Sequence, residues 1–219
     1  MIREESLKKL EDDFTAMAEV LNQQFVLVGR HLEGISTSEE MTHEGENEKQ
    51  LDQYEVQFRE AIVNEILRLT PRARDLRRMI ALLNIIVDLE RMGDLLHSIN
   101  KRLVVVLETE RVWQMYRQPV LRLFGMVNKM YENVIYAFQS ENDFIAHNVI
   151  GMDDEVDSCY HEAHRSLFQQ DVKSPDMQAY LDLSRILYLL ERIGDSCTNI
   201  AEDLIYLIEG VNVKHTKTR

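Results

Sequence analysis

Eight carboxylates stand in four pairs, each pair four residues apart: Glu48 and Asp52, Glu90 and Asp94, Asp153 and Asp157, Glu191 and Asp195. Four residues is about one turn of α-helix, so each pair projects two acids from one helical face. Like charges at that spacing repel and weaken a helix, and four repetitions of the cost ask for a ligand. Oxygen-rich clusters suit hard cations, and added imidazole widens the choice to iron or zinc. His161 and His164 follow Asp157 at four and seven residues and extend its row, while Asn199 flanks the row of Glu191 and Asp195. Two readings compete with metal: an acidic face that docks basic protein surfaces, and a solvated row balanced by Arg91 and Arg192. A carboxylate-bridged metal enzyme is a third. A di-iron bundle needs Glu-x-x-His on two helices, and the only such spacing is Glu40 to His43, inside a segment that reads as loop.

The pairs have to be brought together by long helices. Apolar periodicity runs over roughly 3–33, 46–69, 71–109, 118–140, 143–171 and 175–209, an all-α pattern of six long helices. The stretch "GISTSEEMTHEG" (34–45) reads as a loop. Thr70 and Ser174 are placed as N-caps ahead of Pro71 and Pro175, and Gly210 suits the stop of the last helix. Asp52 lies 19 residues before Pro71 and Glu90 lies 19 after it. In an antiparallel hairpin with equal rise on both arms they share one height. Glu48 and Asp94 also centre on 71, and Asp157/Glu191 and Asp153/Asp195 centre on 174. Each half can therefore set four carboxylates at one level.

The third and sixth helices repeat each other at an offset of 101. Leu82, Ile85, Ile86, Leu89, Met92, Gly93, Leu96, Ile99, Leu103, Val104 and Leu107 form one stripe. Every partner in the sixth, from Leu183 through Gly194 to Ile208, is apolar or glycine. Glycine costs a helix about 1 kcal/mol relative to alanine, so Gly93 and Gly194 read as points where two helices approach closely. Met79 and Met92 read as core filling.

Composition bounds the rest. The chain of 219 residues can hold one large domain or two of about 110. Its net charge of −13 disfavours nucleic acid and favours cations or basic protein surfaces. Cys159 and Cys197 have no metal or redox spacing and read as buried, reduced thiols of a cytoplasmic protein. No signal peptide and no stretch of ~20 apolar residues is present, so contact with a membrane complex would be peripheral. No GxSxG, phosphate-binding loop or dinucleotide fingerprint appears, and His31, His147 and His215 have no evident partners in the sequence. Arg72, Arg74, Arg77 and Arg78 surround Asp75 at a helix start, where cations are unfavourable. They read either as balance for nearby acids or as a docking or anion-contacting patch.

The strings "TPRARDLR" (70–77), "DLERMGD" (88–94), "LERIGDSCTNIAE" (190–202) and "IEGVNVKH" (208–215), in this order and spacing, resemble the phosphate-signalling regulators of the PhoU family over essentially the whole chain. The resemblance implies two tandem pseudo-symmetric three-helix bundles, residues 1–110 and 111–219. It implies multinuclear clusters of iron or zinc on Glu48, Asp52, Glu90 and Asp94, and on Asp153, Asp157, Glu191 and Asp195, with Asn199 matching the asparagine of "NIAE". The first repeat departs there, with Ser98 for the asparagine and Lys101 for the acid, which implies fewer or weaker metals and makes His97 a possible substitute ligand. The implied function is non-enzymatic. It is a cytoplasmic, commonly dimeric regulator that couples the ATPase subunit of a phosphate ABC transporter to a sensor histidine kinase and keeps the phosphate-starvation response off.

Overall fold

The computed structural model describes residues 2–71, 73–169 and 176–210, with all their side chains except those of residues 2–7, 38–44, 69 and 74. Six helices follow one another: α1 (Ile2–Glu33), α2 (Ser38–Leu69), α3 (Ala73–Glu108), α4 (Glu110–Gln139), α5 (Asp143–Phe168) and α6 (Met177–Glu209). The described residues include no strand, as the all-α periodicity requires. None of the described helices is long and apolar enough to cross a membrane.

Helices α2, α3, α6 and α5 lie side by side in that order, with α1 and α4 packed beneath them and against each other. Rings join the lower pair: Phe14 stacks on Phe138 with centroids 3.8 Å apart, and Phe25 on Tyr131 at 4.6 Å. The buried side chains form one continuous core through both halves. The repeated stripe lines it. Met92, Leu96, Ile193 and Ile200 are fully buried, Met79 is nearly so, and Val104 alone of the stripe is 37% exposed.

Two helices start earlier than periodicity suggested. Helix α2 begins at Ser38, because α1 ends in one tight turn: Gly34 takes φ +75° and the Ile35 N–H bonds back to the Arg30 carbonyl. Acids in the new first turn favour helix there, and Gly45 is absorbed. The Glu40–His43 spacing thus falls on helical backbone, with side chains outside the described residues. Helix α4 begins at Glu110 and carries Pro119 inside it. An internal proline costs about 3 kcal/mol. Burial of Val112, Trp113 and Tyr116 ahead of it outweighs that at about 1.5–3 kcal/mol per large side chain.

Helix ends also differ. Thr70 is not the N-cap of α3. It sits at φ +43° and donates its N–H to the Ile66 carbonyl, so it closes α2. Ser174 and Pro175 lie outside the described residues, and Asp176 precedes α6. Gly210 takes φ +75° and ends α6 as expected. A single residue, Thr109, separates α3 from α4.

The isolated histidines acquire partners: His31 is buried against the Asn100 side chain, and His147 Nε2 lies 3.2 Å from Glu209. His215 lies outside the described residues. Both cysteines are buried and free. Of the arginine cluster, Arg78 pairs with Glu11 and, at 3.0 Å, with Glu141, which fits balance of nearby acids. The Arg77 guanidinium packs against Gly210. The side chains of Arg72 and Arg74 lie outside the described residues.

Candidate metal centre

The same device positions both sets of carboxylates. Leu51, between Glu48 and Asp52, is buried against Gly93, between Glu90 and Asp94. A Cβ at Gly93 would overlap the Leu51 side chain and stand 3.1 Å from Gln24 Oε1. In the second half Val156, between Asp153 and Asp157, packs on Gly194, where a Cβ would lie 3.2 Å from Val156 Cγ1. The glycines thus let α2 close on α3 and α5 on α6 directly beneath the acids. Seven of the eight acids reach solvent at least in part, and Asp153 is buried.

In the first half, one oxygen from each of Glu48, Asp52 and Asp94 lies within 4.8 Å of the other two. Burial, and then the charges of Asp94, Asp52 and Glu55, push the Glu90 carboxyl up to about 7. Burial also raises Asp94, helped by Asp52 and Glu48 and opposed by His97 and Lys101. His97 is therefore near Asp94 but outside the group of three converging carboxylates. Glu55, which also pairs with Arg59, was not singled out by the sequence. Its position one turn beyond Asp52 was the available signal.

The second half is arranged differently. Burial and Asp195 push Glu191 up to about 7, opposed by Arg192 and helped by Asp157 and Asp153. Glu191 thus feels the other three acids of its set. Protein groups already hold two of them: the Thr198 hydroxyl donates to Asp153 at 3.2 Å, and Arg192 donates to Asp195 at 2.8 Å. Glu191 Oε2 is buried without a hydrogen-bond partner.

The less central candidates fall away from this group. His164 Nε2 lies 3.3 Å from the Ser184 hydroxyl, and its ring packs on Tyr160 and Phe168. Ser184 precedes Glu191 by seven residues, roughly 10 Å along the helix. His161 is exposed beside Tyr160. The Asn199 amide reaches across to α3 and donates to Asp88 at 3.5 Å. With Arg91, Arg192, Asp195 and Ser196 it lines an open cleft of about 330 Å³ between the halves.

That seam is polar in a way the apolar stripe did not announce. Arg102 donates to Asp182 at 2.9 Å and Asn84 to Asp203 at 3.3 Å, at opposite ends of α3 and α6. The two helices therefore run antiparallel.

An oxygen donor set of three carboxylates with a fourth alongside suits a hard or borderline divalent cation. Bound charge would relieve the repulsion that raises Glu90 and Asp94. The first half meets that description with no rearrangement of partners. It is the half for which the resemblance implied fewer or weaker metals.

Comparison with known proteins matches the PhoU domain model at residues 14–103 and 120–204. A phosphate-specific transport system accessory protein PhoU homolog of Pseudomonas aeruginosa is 33% identical over 171 residues, 78% of this chain and 70% of that protein. A PhoU homolog 1 of Thermotoga maritima is 26% identical over 212 residues, 93% and 90% of the two chains. The crystal structure of PhoU from Pseudomonas aeruginosa superposes with a TM-score of 0.85 at 27% identity, covering 95% of this chain and 99% of that one. The six-helix architecture, the glycine-backed acid pairs and the double domain match lead to one conclusion: this chain belongs to the PhoU family.

Proposed function

We propose that the chain is a non-enzymatic, cytoplasmic regulator of phosphate uptake and phosphate-starvation signalling. It couples the ATPase subunit of a phosphate ABC transporter to a sensor histidine kinase, meets the membrane only through those partners and works as a homodimer without nucleic acid. Its halves, 1–110 and 111–219, act as two repeats. The observation that carries this reading is the PhoU domain match in both halves, on a chain whose relatives are named accessory proteins of phosphate transport. Cations, iron or zinc, occupy the carboxylates. Glu48, Asp52 and Asp94 would hold the ion in the first repeat, with Glu90 and His97 at its edge. Glu191 and Asp157 would lead in the second. A bound cation supplies charge that locks neighbouring helices together, and the residues' task is to hold it in a defined geometry.

A deletion strain tests the reading. Loss of the chain derepresses a phosphate-starvation reporter in phosphate-rich medium, and the wild-type gene restores repression. An unchanged reporter overturns it. Elemental analysis of the gently purified protein tests the cations: iron or zinc bound to the wild type and lost on Asp52→Asn with Asp94→Asn supports them. A second reading, docking without metal, is favoured only in the second repeat, where Thr198 and Arg192 already engage two acids. Repression retained in a metal-free variant would establish it.

A further inference from the structure

Large apolar side chains lie open on the outer face of the four-helix layer, and they do so twice. In the first repeat Val63, Ile80 and Val87 are 45%, 42% and 37% exposed; in the second Phe168, Leu181 and Tyr188 are 65%, 54% and 36% exposed. The sets correspond. Ile80 and Leu181, like Val87 and Tyr188, are separated by the same 101 residues that relate Glu90 to Glu191. Val63 and Phe168 are separated by the 105 residues that relate Asp52 to Asp157. Val87 and Tyr188 each stand one turn before the raised glutamate of their repeat, on the same outward arc of the helix. Core packing does not account for side chains this exposed. Isolated exposed apolar residues need no explanation, but matched sets beside two acid rows do.

Because α3 and α6 run antiparallel, with Asn84 on Asp203 and Arg102 on Asp182, a local two-fold axis relates the two sets. It passes near Met92 and Ile193. Helical rise then separates Ile80 from Leu181 by roughly 35–40 Å along the seam, and Val87 from Tyr188 by roughly 16 Å. Charge narrows the choice of occupant. One divalent ion leaves each set of four carboxylates net negative on a chain of net charge −13, so a second copy of this face would still set acid row against acid row, and an anionic lipid surface or nucleic acid would be repelled. We infer that this face docks a two-fold-symmetric protein dimer, each subunit of which lays a basic element with an apolar anchor on one repeat. The inference rests on the adaptor reading above. Two equal contacts made at once give avidity that neither repeat has alone.

The test measures binding to the purified phosphate ABC transporter in nanodiscs and, separately, to the dimeric cytoplasmic part of the sensor kinase, with empty anionic nanodiscs alongside. The variants are Ile80→Gln with Val87→Gln, Leu181→Gln with Tyr188→Gln, and all four together, with Ile80→Gln and Leu181→Gln alone as the mildest pair. All replace exposed side chains with a good helix former. Wild-type binding to one of the two dimers, weakened on the order of a hundredfold by either double variant and lost with all four, supports the inference. So does binding that falls as potassium chloride rises from low to physiological concentration. Undiminished binding by the four-fold variant overturns the face alone, and a loss confined to one repeat overturns the two-fold partner. Binding to empty nanodiscs makes lipid the occupant and overturns the proposal. No binding by the wild type overturns the adaptor reading and the docking face together.

Discussion

The two carboxylate sets share a scaffold and differ in who neutralises them. Both sit over a glycine that admits a branched apolar side chain from the neighbouring helix, and both contain a glutamate pushed up to about 7. In the first repeat the acids mainly face each other, with Glu48, Asp52 and Asp94 in mutual reach. In the second, Thr198 and Arg192 are already engaged with Asp153 and Asp195. A repeated backbone thus fixes where charges meet, while one or two neighbouring side chains decide how much of that charge is left for a ligand.

Substitution of a shared ligand should separate the sets most. Asp94→Asn removes one of three converging oxygens and is expected to weaken cation binding in the first repeat at least a hundredfold, with Asp195→Asn costing less. Titration calorimetry on both variants checks this, and an equal loss would erase the distinction. The glycines should differ next. Gly93→Ala forces its methyl into buried Leu51 and Gln24 and should destabilise by about 2 kcal/mol, whereas Gly194→Ala sets its methyl 3.2 Å from Val156 Cγ1, a tight contact that the valine must yield to by a few tenths of an ångström and that the gain in helix propensity offsets, for a net cost below about 1 kcal/mol. Urea denaturation of the two proteins reads the difference.

Arg192→Ala removes one hydrogen-bond donor to Asp195 and an opposing charge, so cation affinity in the second repeat should rise about tenfold. A fall would mean that the arginine positions the site instead. The smallest effect concerns protons. Glu90 and Glu191 titrate near 7 in the fold against an ordinary 4.5. Between those values the native state holds more protons than the unfolded chain, so metal-free stability falls as pH rises from about 4.5 to about 7. Because both groups are only partly buried, the loss is about 1 kcal/mol each after solvent screening. Glu90→Gln and Glu191→Gln should flatten the melting temperature across that window, and bound cation should reverse its slope.

Much of this was legible in the sequence, for physical reasons. Helical rise is regular, so counting outward from Pro71 placed Asp52 and Glu90 at one height. Two glycines inside apolar stripes had to mean close packing. Helix starts were harder, because Gly45 and Pro119 are breakers locally and only the burial of Trp113 and Tyr116 overrides the proline. Thr70 looks like an N-cap in isolation, and its role as the terminus of α2 depends on backbone φ. The seam pairs Arg102–Asp182 and Asn84–Asp203 join residues 80 and 119 positions apart. Nothing in periodicity announces such partners, whereas the three-residue spacing of Arg192 and Asp195 already marked the arginine as a balancing charge for the row.

The seam has a consequence for how the protein is made. Its two helices are about a hundred residues apart in the chain, and α6 is synthesised only after α4 and α5. At ~5–20 residues per second, the finished α3 waits roughly 5–20 s for its partner while its flank is open to water. Asn84, Asp88 and Arg102 on that flank are groups that water can satisfy through the delay, until Asp203, Asn199 and Asp182 take its place.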